Sequence, residues 1–203
     1  MMDPQPEKQP RLILIPMGRT EWDEHGRLAG TADLPLSEAG AQQVDQLAEQ
    51  LAGQELELIC VSANQTAKQT AAILAEKLGA LVKTVKGLEE MDIGLWEGLT
   101  TDQIKQRYPR VYKQWVEQPA SVRPPQGEHV QEAAERLLAA VVQISTKSKV
   151  ATIGVVLGRL AMAAVRCRLA DESLDNLWQK VETSGTWYSL SGPAELSDAD
   201  NGE

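Results

Sequence analysis

Short apolar runs separated by helix-period segments constrain this chain most. RLILIP (residues 11–16), LELICVSA (56–63) and KVATIGVVL (149–157) are of strand length, nearly continuous in Val, Ile and Leu, and read as buried strands. LVKTV (81–85) is a further strand. Between and after them lie SEAGAQQVDQLAEQLAGQ (37–54), which Ser37 can cap, and QTAKQTAAILAEKLGA (65–80), which ends near Gly79. EHVQEAAERLLAAVVQIS (128–145) and GRLAMAAVRCRLA (158–170) are two more helices with apolar residues at helical spacing. Buried strands alternating with helices predict an α/β fold, a three-layer α/β/α sandwich around a mostly parallel sheet. NLWQKVE (176–182) and GTWYSLS (185–191) read as short strands around a Ser-Gly turn.

The ends carry no such pattern. Residues 1–10 hold three Pro and read as a disordered arm, and AELSDADNGE (194–203) holds four acids and no base, so 193–203 reads as an acidic disordered tail. Residues 11–192 then form a single domain. Within it, residues 86–127 are irregular, with short helices expected around 100–117. So long a connection in a compact domain suggests a lid or insert over a site.

Charge narrows the partners. The net charge is −9, which disfavours nucleic acid and anionic membrane surfaces. No apolar run reaches membrane-spanning length, and the first residues lack the order of a signal peptide, so a cytoplasmic location is the default. Cys60 and Cys167 read as reduced core residues, and no Cys/His spacing suggests a metal. No cofactor is implied. The partner is an unknown protein or small molecule, and the chain reads as a monomer or homodimer.

In a parallel sheet, ligands bind beyond the carboxyl ends of the strands. That rule gathers Pro16–Thr20, Ser62–Thr66 and Leu157–Arg159 around one crevice. These segments resemble the blocks of the histidine phosphatase superfamily, also called phosphoglycerate mutase-like. PMGRTEWDEHGRLAGTADLPLSEAG resembles its opening RHGET-type loop, and VSANQTAKQTA resembles the SS-x-L-x-RARQTA block. LEEMDIGLWEG, PPQGEH and VVLGR follow in the family's order. The resemblance implies a phosphoglycerate mutase-like fold over about residues 11–190. It also implies phosphoryl transfer through a nucleophilic His, assisted by a second His, two Arg and an acid. Guanidinium forks and imidazolium suit the spread charge of a phosphoryl group in transfer.

Four of those five positions depart from the pattern. The first Arg is Pro16, the nucleophile is Met17, the second Arg is Thr66 and the second His is Leu157; only the acid, Glu90, is retained. A thioether is neither this nucleophile nor a general base. Each lost charge-assisted hydrogen bond to phosphate is worth roughly 1.5–3 kcal/mol.

Each remaining residue has a plain reading and a functional one. Met17 and Leu157 are expected to pack against each other and close the crevice, or else to line an apolar pocket. Arg19 and Arg159 are new cations at the mouth; with Thr20, Ser62 and His129 they form a candidate ligand site, or they are solvated, or Arg19 pairs with Glu90. His25 and His129 are expected at exposed loop or helix-start positions. Ser62 and Thr66 are expected to cap the following helix. Asp23 adds negative charge on the pocket side.

The favoured function is a catalytically inactive family member, a pseudoenzyme with a binding, regulatory or scaffolding role. The alternative is an enzyme with relocated chemistry on a phosphorylated or carboxylated small molecule, through Arg19, Arg159 and Glu90. An active mutase or phosphatase of the family type is least favoured, because the nucleophile and phosphate-binding residues are replaced.

Overall fold

The computed structural model describes residues 10–182 and 186–190. Strand β1 (Arg11–Pro16) leads through a short helix α1 (Glu21–Glu24) to α2 (Glu38–Leu51). Strand β2 (Leu58–Val61), helix α3 (Gln65–Leu78) and strand β3 (Leu81–Thr84) follow. The long connection holds α4 (Thr101–Arg107) and α5 (Pro109–Glu117). Helix α6 (Val130–Lys147), strand β4 (Thr152–Leu157) and helix α7 (Arg159–Leu169) come next. Helix α8 (Leu177–Glu182) and strand β5 (Tyr188–Leu190) complete the described residues. The sheet order is β3-β2-β4-β1-β5, with β5 antiparallel and the other pairings parallel.

Strand alternation divides the core in two. Leu12, Leu14, Cys60, Ile153, Val155 and Leu157 face one side, packed with α6 and α7. Ile13, Ile15, Ile59, Val61 and Val156 face the other, with α2 and α3. This is the three-layer arrangement expected of buried parallel strands, whose two faces are both covered.

Residues 88–122 add to the core. Met91, Ile93, Trp96, Ile104, Trp115 and Val122 are buried against the α6/α7 side. The Trp96 and Trp115 rings meet edge to face at 5.0 Å, and Trp115 meets Trp178 at 5.3 Å. Trp178 Nε1 donates to the Trp115 carbonyl at 2.7 Å.

Trp178 lies on α8, which corrects the expected strand NLWQKVE. Leu177 and Val181 are buried four residues apart, the spacing of one helical face. Packing against α7 and Trp115 decides a segment whose apolar spacing fits a helix better than a strand. The expected strand in GTWYSLS is β5, on the sheet edge; the Ser-Gly turn lies outside the described residues, as do the 193–203 tail and residues 1–9 of the expected arm. Cys60 and Cys167 are buried and free.

The approach of α2 to the loop after β1 depends on a missing Cβ. One added at Gly40 would lie 2.0 Å from the Arg19 carbonyl oxygen, and that same oxygen accepts the Ser37 N–H at 3.0 Å. A backbone neighbour cannot swing aside as a side chain can. We expect Gly40→Ala to destabilise the chain by about 2 kcal/mol or more in urea unfolding, since an overpacked site must shift backbone. Ala39→Gly, at the exposed position beside it, should cost no more than about 1 kcal/mol.

Candidate functional site

The carboxyl ends of β1 and β4 lie side by side, in register from Arg11 with Thr152 to Pro16 with Leu157, and β2 flanks β4. The structure thus gathers the three predicted turn segments at one edge of the sheet. Met17 N–H donates to the Leu157 carbonyl at 2.9 Å, extending the ladder by one residue. Pro16 brings no N–H, but β5 pairs with β1 only as far as Leu14, so no ladder bond to β5 is missing there.

Met17 and Leu157 do not pack together as expected. Pro16 is level with Leu157, so Met17 falls one residue further along and points to the opposite face. Leu157 is 1% exposed in the α6/α7 core, whereas Met17 is half-buried against the α2/α3 core.

Thr66 holds the first loop instead of capping α3. It is buried, and its hydroxyl donates to the Leu34 carbonyl. Two further bonds bind the same stretch to α3: Gln65 N–H to Asp33 Oδ1 at 2.6 Å, and Leu36 N–H to Gln69 Oε1 at 2.7 Å. The cap of α3 is Asn64, whose Oδ1 accepts the Ala67 N–H at 2.9 Å. Ser62 does not cap either; it is fully buried and its hydroxyl has no hydrogen-bond partner among the described residues.

Glu90 does not pair with Arg19. Its carboxylate accepts backbone N–H groups from Met91 at 2.7 Å, Leu160 at 2.9 Å and Ala161 at 2.7 Å. Leu160 and Ala161 lie in the first turn of α7, whose N-cap, Gly158, has no side chain to offer. A Cβ on Gly158 would fall 2.3 Å from Glu90 Oε2, so the glycine makes room for the carboxylate. Burial pushes the Glu90 pKa up from 4.5 to about 7, against the downward pull of the three N–H groups and of Arg136.

Arg136 is a residue the sequence reading missed. It donates to the carbonyls of Gly87 and Glu89, each at 3.0 Å, and to Glu128 Oε1 at 2.6 Å, fixing the segment that carries Glu90. The only signal for it was an arginine within the amphipathic run EAAERLLAA.

Arg19 and Arg159 are both exposed and make no ion pair among the described residues. Asp23 turns inward on its own helix: its carboxylate accepts the Thr20 N–H at 2.8 Å and the Thr20 hydroxyl at 2.7 Å in a capping box. His129 caps α6, its Nδ1 accepting the Gln131 N–H at 3.2 Å, and exposed His25 ends α1. No group of His, Cys, Asp and Glu among the described residues has the arrangement of a metal site.

The chain belongs to the histidine phosphatase superfamily (branch 1), whose sequence pattern matches residues 12–192. It is 29% identical over 168 residues to phosphoserine phosphatase 1 of Hydrogenobacter thermophilus, covering 83% of this chain and 80% of that one. It is 29% identical over 207 residues to a probable phosphoglycerate mutase, GpmB, of Klebsiella pneumoniae, covering 91% and 96%. Among solved structures it resembles the mycobacterial glucosyl-3-phosphoglycerate phosphatase Rv2419c in complex with VO3. There the TM-score is 0.79 at 27% identity, covering 90% of this chain and 92% of that one. The phosphoglycerate mutase-like α/β fold implied by the sequence resemblance is therefore the observed one.

The position of Glu90 has a stability signature. Between pH 4.5 and about 7 the folded chain holds a proton that the unfolded chain has released. Its contribution is therefore whole below pH 4.5 and is lost as the pH rises to about 7. We expect Glu90→Gln to destabilise by roughly 1–3 kcal/mol, the cost of unsatisfied buried N–H groups. The gap from wild type should be wider at pH 5 than at pH 7.5 in urea unfolding.

Proposed function

We propose that this chain is a non-catalytic member of the superfamily that acts by binding, in a regulatory or scaffolding role in the cytoplasm. The carrying observation is what now occupies the positions of the family's working residues. Glu90, the one retained, spends both carboxylate oxygens on backbone N–H groups, two of them opening α7. Thr66 is committed to Leu34, Leu157 is core, and Met17 packs against α2 and α3. A phosphoryl group placed there would meet no guanidinium and no imidazole from the four family positions. Transition-state charge would then lack the preorganised cations on which phosphoryl transfer depends.

The second reading draws on the exposed cations. Arg19 and Arg159 flank the strand ends without carboxylate partners among the described residues. Under that reading they hold a phosphorylated or carboxylated small molecule and Glu90 serves as acid. The relatives named for phosphatase or mutase activity make such chemistry the natural comparison.

Turnover separates the two. With a generic aryl phosphate and with phosphoglycerates, we expect no hydrolysis above the buffer rate. Hydrolysis that survives Met17→Ala but is lost in Arg19→Ala or Arg159→Ala would overturn the non-catalytic reading in favour of relocated chemistry.

A further inference from the structure

An acidic chain gathers four lysines around one groove. Lys83 and Lys86 stand on and just beyond β3, and Lys147 and Lys149 stand at and just beyond the end of α6, on the opposite wall. The groove between them has a volume of about 390 Å³ and no carboxylate lines it. Its floor is apolar, formed largely by Leu58, Val85 and Ile144. None of the four lysines makes an ion pair among the described residues. Two acids close to the lining are engaged: Glu57, next to Leu58 in the sequence, accepts the Ala151 N–H at 2.7 Å, and Glu89, three residues beyond Lys86, accepts the Gly87 N–H at 2.7 Å.

Local explanations cover two of the lysines at most. A lysine on an edge strand such as β3 discourages strand addition, and one in the last turn of α6 suits the helix dipole. Neither explains why both walls of a single groove are basic while the chain carries a net charge of −9. Holding like charges on facing walls is unfavourable until an anion lies between them.

We infer that this groove binds a small phosphorylated molecule that carries several negative charges and an apolar body. The lysines on the two walls take the phosphates, and Leu58, Val85 and Ile144 take the body. The volume lies in the range of small-molecule sites, roughly 300–1,000 Å³. Charge argues for a small ligand over a polymer. Beyond a Debye length of about 8 Å, a nucleic acid or an acidic protein meets the net negative surface, whereas a small anion inside the groove feels mainly the lysines. The site lies away from the crevice at the carboxyl end of β1, so it stands or falls independently of any catalysis there.

The test is calorimetric titration of the full chain with ATP, tripolyphosphate and adenosine, without added metal. ATP should bind with a Kd below 1 mM, weakening as salt rises, and at least fivefold more tightly than tripolyphosphate or adenosine. The surface variant Lys83→Ala/Lys147→Ala should keep its melting temperature and weaken ATP at least tenfold. Arg19→Ala/Arg159→Ala should leave ATP binding unchanged. Absence of ATP binding at millimolar concentration, or binding unaltered by the lysine substitutions, overturns the inference. So does ATP binding lost in the arginine variant. Equal binding of ATP and tripolyphosphate would remove the role given to the apolar floor, and tighter binding of a single-stranded oligonucleotide than of ATP would replace a small ligand with a polymer.

Discussion

One buried carboxylate joins the two least alike parts of this fold. Helix α7 begins directly after the central strand β4 and opens on a glycine, leaving its first N–H groups without a capping side chain. Glu90 reaches them from the long connection between β3 and α6, at a separation of some seventy residues. Its neighbours Met91, Ile93 and Trp96 enter the core beneath, and Arg136 fastens the backbone just before it. The connection is held to the start of α7 by these hydrogen bonds and to the core by apolar burial. A charged group so placed costs desolvation, which is why its proton is held more tightly than usual.

The same geometry accounts for the character of the strand ends. Parallel register puts Pro16 beside Leu157 and turns Met17 to the other face, so Met17 and Leu157 extend two separate cores. The surface around them is left with exposed cations at Arg19 and Arg159, while buried Glu90 and Thr66 serve a helix end and a loop. Membership of the superfamily sets the frame of strands and glycines; the residues at its strand ends set what that frame can do.

Much of this was legible in the sequence because burial and periodicity are local. The four main strands, the capping serine of α2, the glycine ending α3 and the reduced cysteines all follow from short windows. The misreadings share a cause. NLWQKVE is short, and its contacts with α7 and Trp115 decide for the helix that its Leu177/Val181 spacing already suits, while Asn64 outcompetes Ser62 and Thr66 because the turn after β2 places its side chain over Ala67. Whether Glu90 would meet Arg19 or α7 depends on a long-range fold that no window contains. Strand parity rests on register in the same way: once Pro16 pairs with Leu157, residues 17 and 157 lie on opposite faces.

Thr66 limits what its position in the fold can accept. Its hydroxyl is one of three ties that fasten residues 33–36 to α3, and it lies in a space with 4% of its surface open. An arginine there would have to push its guanidinium past Leu34, forfeiting the tie and loosening the loop that leads into α2. A large cation at this position is therefore opposed by the loop's own packing before any ligand is considered.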